Sequence, residues 1–505
     1  MSSNLRRPSV LLSLCATLLG AAPALAQKPA PPPAAKASAP AKAPATVSDV
    51  LKAPRPQGGE YLGLYLVDKK VGYLFSDVGY VPGRKDRVRS ISALHFKAQV
   101  GTRLSERSHR EERIYEAKPG GRLLSFTVEQ RGDGGEQTLV GTATPQGLSV
   151  VRKRPGVPDE TLTVPGTDER VEDADQARVA LFRRARVEGS VLDGMDLSSY
   201  KMTTTVEPTE ERLFSGVKVK VGRAVTLSEK EKVPATAFVA EDGRVLEVDF
   251  AGTMKARAEP EAVAKRLDLV EVFGLTRVVL PAPLPPEARR VPGRVTLVMT
   301  GLPEKFQKNT YRQQYQKEDG GRVKVTLVAA EPDVAKRKPR PLADPDGGEN
   351  LKSSIIVESD NAEIQALARQ VVGPEKDAYA AAKRLVSWVA VNLKKDYGSS
   401  ADRATDVLRQ RKGDCTEHSL LTVALLRASG IPARRVDGVV YMVNDDGVPA
   451  LYWHEWVEAF VGEWTQLDPT FNQMVADATH FGVGLEGNAE ITPLIGQLKV
   501  VEVRK

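Results

Sequence analysis

Residues 411–442, RKGDCTEHSLLTVALLRASGIPARRVDGVVYM, and residues 451–473, LYWHEWVEAFVGEWTQLDPTFNQ, decide how this chain is read. Gly413-Asp414 make a tight approach into a helix, with Asp414 as its N-cap and Glu417 three residues on, the pattern of a capping box. Leu420, Leu421, Ala424, Leu425 and Ala428 follow at helical spacing, which predicts one apolar face. Gly430 and Pro432 stop the helix. Cys415 then falls on the first helical residue, where free N–H groups and the helix dipole favour a thiolate. The charges of Asp414 and Glu417 would oppose that, so activation needs a neighbouring imidazolium.

His454 lies in the strand-like LYWHEWVEAF and Asp468 in EWTQLDPT, which Pro469 ends. A three-residue hairpin loop at Val461, Gly462 and Glu463 would set Phe460 opposite Trp464 and Asp468 opposite Trp456. His454 and Asp468 then share a face as diagonal neighbours. A two-residue loop would put Asp468 on the other face. The sequence leaves that choice open.

The GxC before a helix, R-x-x-GIPAR, HxW and W-x-x-LDPT together resemble the transglutaminase-like superfamily, papain-fold thiol enzymes. The resemblance covers the last third of the chain and implies an α+β papain-like domain. By position, Cys415 corresponds to the nucleophile, His454 to the general base and Asp468 to the group orienting it. The family holds both hydrolases and amide-forming acyl transferases. The expected chemistry is acyl transfer through a Cys thioester on a peptide or side-chain amide, with protease or amidase action ahead of amine crosslinking because water is always available. The Cys415 N–H supplies part of an oxyanion hole, with Gln410 and Tyr397 as candidates for the second donor. Trp453 or Trp456 would wall the substrate groove, although aromatics at strand spacing usually belong to a core.

Two rival readings compete with a thiol enzyme. His418, His454, Glu458 and Asp468 form a metal set only on paper, since none has HExxH or CxxC spacing. His418 reads as a partly exposed helix residue, and His95, His109 and His480 as lone structural or solvent-facing histidines. No metal and no cofactor is expected. The other rival is a papain-like domain kept for binding, as an adaptor.

Residues 1–26 read as a signal peptide: Arg6 and Arg7, an apolar stretch from Val10 to Leu19, and a small-x-small site at Ala24-Leu25-Ala26. Leu14 before Cys15 is too bulky for lipid processing. Cleavage would leave Cys415 as the one thiol, in a periplasmic or secreted protein. Residues 27–59, rich in Pro and Ala, read as an extended tether.

Residues 60–330 read as one or two β-rich domains of antiparallel strands, a sandwich or half-open barrel, with turns at Asp68-Lys69-Lys70, Asp133-Gly134-Gly135, Pro145-Gln146-Gly147 and Asp242-Gly243. Asp173–Val187 is the expected exception, a charged helix. Residues 331–350 read as a polar connector. Residues 351–505 form the catalytic domain: a helix capped at Ser359-Asp360, a second over Glu375–Lys395, a third over Asp402–Arg411, then the thiol helix and strands.

At 505 residues two or three domains are expected, and 41% hydrophobic residues suffice for burial. A net charge of +7 with pI near 9.1 is mild at this length. The basic run Lys336–Arg340 lacks interleaved aromatics, so no nucleic-acid partner is expected. The expected partner is a peptide or protein substrate, such as cell-wall peptide. After residue 26 no apolar segment predicts stable membrane insertion.

Overall fold

The structure, a computed structural model, describes residues 47–504 apart from 101–102, 133–134, 195, 230–233, 251, 397–400, 402, 445 and 486–493. The expected leader, most of the tether and Tyr397 lie outside the described residues.

Fourteen antiparallel strands between Glu60 and Ala258 form one continuous sheet. The first strand, Glu60–Leu66, sits mid-sheet. The next seven pair in chain order out to Val157–Val164 at one edge. The last six run inward from Val187–Leu192 at the other edge to Met254–Ala258, which pairs with Glu60–Leu66. The first hairpin turns on Val67 and Asp68, one residue earlier than expected, with φ of 47° and 59°. Two positive φ angles match the right-handed twist of the flanking strands. The predicted charged helix is a 3-10 turn, Val171–Asp175, leading into an α-helix, Gln176–Arg183. Val171, Val179 and Ala180 join Tyr115, Phe126 and Val128 of the sheet in one core.

Besides two short helices, Glu261–Ala264 and Val272–Thr276, and a parallel pairing of Lys394–Lys395 with Lys412–Gly413, the rest of the described chain builds two smaller sheets and four longer helices that share a core. Gln313–Glu318, Arg322–Ala329, Gly293–Thr300 and Lys499–Arg504 form a four-stranded sheet in that order. The last strand of the chain thus completes a sheet begun before residue 330, across the expected boundary at 351. Val278–Val279, Pro449–Phe460, Ala433–Val443 and His480–Leu485 form the site sheet, with Trp464–Leu467 paired to Phe460's end of the long strand. Residues 331–350 are mostly exposed but anchored at several points. Arg340 donates to the carbonyls of Glu375 (2.9 Å) and Ser429 (3.2 Å), and Lys338 N–H to Val461 (3.0 Å).

The four longer helices are Ala362–Val372, Ala378–Asn392, Ala404–Gln410 and Cys415–Ala428. The first is capped by Asn361, not by Ser359 or Asp360: its side chain accepts from Glu363 N–H at 2.8 Å. The main core runs without a break from Leu62, Leu64 and Phe96 of the large sheet into Leu385, Leu421 and Val457 of the site region. Among the described residues no helix is long and apolar enough to cross a membrane.

Candidate active site

The approach to Cys415 is set by packing beneath it. Asp414 accepts from Thr416 N–H at 2.8 Å, and Glu417 accepts from Asp414 N–H at 2.8 Å, so the capping box is formed. Gly413 is required, because a Cβ there would lie 2.3 Å from Cβ of Glu417. The helix departs from the expected single apolar face: Cys415 and every residue from Glu417 to Arg427 are buried. Burial, reinforced by the charge of Asp414, pushes the Glu417 carboxyl well above the usual carboxylate range. A carboxyl shifted this way is harder to ionise, so Glu417 opposes a thiolate less than the sequence alone suggests.

The thiol helix packs on the strand Pro449–Phe460, where Ser419 Oγ donates to the carbonyl of Glu455 at 3.2 Å. In that strand His454 pairs with Gly438 across the sheet. A Cβ on Gly438 would meet the Trp456 ring at 2.6 Å, so the glycine makes room for the indole beside the histidine. The loop after Phe460 has three residues, with Phe460 opposite Trp464 and Val457 opposite Leu467. This register puts Asp468 on the face of His454, and His454 Nε2 lies 2.7 Å from Asp468 Oδ2. Both are fully buried, as is Cys415.

Every acceptor position of Asp468 in this pocket is occupied. Its Oδ1 accepts from Thr470 N–H at 2.7 Å and Phe471 N–H at 3.1 Å. Its Oδ2 takes the two imidazoles, His454 and, at 3.0 Å, His480 Nε2. Burial alone would raise the Asp468 carboxyl, but the two imidazoles outweigh it and hold it below the usual carboxylate range. His454 is pushed down by burial against the pull of Asp468. A neutral His454 donating from Nε2 has its lone pair on Nδ1, a buried atom with no hydrogen-bond partner among the described residues. The ring is boxed by Trp456, stacked at 5.9 Å between centroids, and Phe471 at 5.0 Å.

The other residues singled out from sequence fall in different places. Trp456 lies beside His454 but is fully buried, its Nε1 donating to Gln466 Oε1 at 3.0 Å. Trp453 points to the opposite face of the sheet and donates to the carbonyl of Thr276 at 3.2 Å, so it is core and not groove. Gln410 is half-buried at the end of its helix, its Oε1 without a hydrogen-bond partner among the described residues.

The paper metal set does not assemble. Glu458 is taken by Arg434 (2.8 Å) and Tyr311 (3.0 Å), and His418 Nδ1 faces the Asp414 carbonyl at 2.6 Å. His418 is buried rather than exposed, and burial pushes its imidazole down to about 4. Ligand-type atoms of His454, Asp468 and His480 lie within 4.8 Å of one another. Here the nitrogens facing Asp468 are bridged to it through protons, which a cation would have to displace from both rings.

The sequence does not show the parts of His480 and Lys395 in this site, and it misplaces His418 on the surface. His480 reads from sequence as a lone histidine, yet it shares Asp468 with His454. His418 sits one helical turn from Cys415 and feels the charges of Asp468 and His454. Lys395, paired beside Gly413, extends over the Phe471 ring at 5.2 Å. Only the offset of three from Cys415 to His418 was readable in the sequence.

The segment 365–469 matches the family model of the transglutaminase-like superfamily. Residues 365–469 form a transglutaminase-like domain. The match contains Cys415, His454 and Asp468 and ends before His480. An uncharacterized protein of Mycobacterium leprae is 28% identical over 145 residues, 27% of this chain and 50% of that protein. The chain thus spans about half the length of that curated relative. A cysteine-protease candidate from Cytophaga hutchinsonii is 20% identical, with a TM-score of 0.29 over 43% of this chain and 85% of its own. A β-barrel-like protein from Brucella abortus is 11% identical, with a TM-score of 0.30 over 40% of this chain and 94% of its own.

Proposed function

We propose that the chain is a cysteine enzyme that cleaves peptide or side-chain amides through a thioester on Cys415. The reading is carried by the buried 2.7 Å contact between His454 and Asp468, on a strand packed against the thiol helix. In the first half-reaction the Cys415 thiolate attacks the amide carbonyl carbon. His454 as imidazolium protonates the leaving amine as the C–N bond breaks. In the second, water adds to the thioester, His454 takes its proton, and the acid leaves as the thiolate re-forms. Asp468 holds the imidazole with its proton on Nε2 throughout. Complete burial of Cys415 and His454 means that a substrate reaches the sulfur only once the covering side chains part.

The chain is read as exported with cleavage after Ala26, on the strength of residues 1–26. The test is iodoacetamide labelling of the mature protein near neutral pH, joined to a screen of peptide and protein amides. Fast labelling of Cys415 that slows in His454→Ala, and cleavage lost in Cys415→Ala, are expected. A thiol indifferent to His454 would refute the mechanism, and amine incorporation without cleavage would make the enzyme a crosslinking acyltransferase.

A further inference from the structure

His480 opens the strand His480–Leu485 and is fully buried. Both of its ring nitrogens face acceptors: Nε2 lies 3.0 Å from Asp468 Oδ2, and Nδ1 lies 3.1 Å from Asp477 Oδ1 and 3.3 Å from the Asp477 carbonyl. Ionised carboxylates only accept, so both nitrogens must donate and the ring is an imidazolium. Asp477 is itself fixed. Gln473 Nε2 donates to it at 2.8 Å and Thr479 N–H at 2.9 Å, while Arg312 donates to the carbonyls of Ala476 and Asp477 at 2.6 and 2.8 Å. Around the ring stand Trp456, Phe471 and His454, with centroids at 5.1, 6.4 and 5.9 Å. Two further cations stand by this cluster: Arg312, whose charge faces Asp477, and Lys395, whose charge acts on His454 and Asp468.

We propose that His480 is a positioning residue of the Cys415–His454–Asp468 site, a built-in cation that aims Asp468 Oδ2 at His454 and offsets part of its charge. The inference rests on the reading of that site as a thiol–imidazole pair. An acid that must protonate a leaving amine cannot hold its proton too tightly. A buried Asp468 facing His454 alone would bind that proton strongly, and sharing one carboxylate oxygen with a second cation loosens it. The charge balance agrees. Burial would lower His480, but Asp468 and Asp477 raise it above the ordinary imidazole value, while the charge of His480 helps push His454 down.

The test reads the rings directly. The chain has five histidines, so histidine-selective ¹⁵N labelling in a Cys415→Ala background gives five imidazoles to follow against pH. At pH 7 the ring that vanishes in His480→Gln is expected to carry protons on both nitrogens. In that variant the titration of His454 should rise by about one to two pH units, the effect of a unit charge some 6 Å away at an effective dielectric of about 20. Asp477→Asn removes one of the two carboxylates and should lower the titration of His480. It also decides the matter, with the parent spectrum, if His480→Gln does not fold. A singly protonated His480 at pH 7, or a His454 titration that stays in place in His480→Gln, overturns the proposal. Because no nucleophile or substrate is involved, absence of amide cleavage would count against the enzymatic reading alone.

Discussion

Asp468→Asn removes the one group on which His454, His480 and two backbone N–H groups converge. The carboxylate accepts four hydrogen bonds, at 2.7, 3.0, 2.7 and 3.1 Å, in a fully buried position. An asparagine has one acceptor oxygen. Whichever way the amide is turned, its NH₂ faces either two imidazole donors or two backbone donors. Each buried donor left unpaired costs about 1–3 kcal/mol, and breaking a buried charge pair costs about 3–5 kcal/mol. The expected loss of stability is therefore roughly 3–5 kcal/mol, read as a lower urea midpoint at pH 6. All four tryptophans, Trp388, Trp453, Trp456 and Trp464, lie in the last third of the chain, and Trp456 stacks on His454, so indole fluorescence reports this region. The thiol should respond as well. Without an oriented imidazolium the thiolate loses the partner proposed for it, and because an ordinary thiol is under about 1% ionised at pH 6, alkylation there should slow about a hundredfold. A variant within about 1 kcal/mol of the parent that alkylates at the parental rate would refute the reasoning.

Glu417→Gln should leave the protein at least as stable as the parent at pH 8. Glu417 has a raised folded pKa, so its stabilising effect is present below about pH 4.5 and lost as pH rises through the folded value. Glutamine removes that loss, whereas Glu417→Ala opens the capping box and should cost about 1 kcal/mol, both read by urea denaturation. Gly413→Ala forces a Cβ to 2.3 Å from Glu417 and should destabilise by about 1–3 kcal/mol, with slower Cys415 alkylation. His480 has a raised folded pKa, so its contribution is complete below about pH 6.5 and fades as pH rises through the folded value. Asp468 and Asp477 have depressed folded values, so theirs is present above about pH 4 and lost as pH falls further. The stability gap between the parent and His480→Gln should thus be widest between about pH 4 and 6.5 and narrow toward pH 9. A gap independent of pH would contradict the assignment of charge.

The chain by itself determined whatever depends on near neighbours. Asp414 and Glu417 are three residues apart, so their capping box follows from helical spacing, and with it the place of Cys415 at the helix start. The β-rich character of residues 60–258 follows from short alternating runs broken at turns. The hairpin between His454 and Asp468 was legible up to one ambiguity, the length of its loop, which local sequence does not decide. Tertiary structure decided the rest. His480 reaches Asp468 because the strand His480–Leu485 pairs with Ala433–Val443, a contact with no signature at the twelve-residue separation from Asp468. Trp453 and Trp456 look alike in sequence, but alternation along a strand sends one to the core and the other to the histidine. The charge on Glu417 could not be read either, because a carboxyl keeps or loses its proton according to how completely the surrounding fold excludes water.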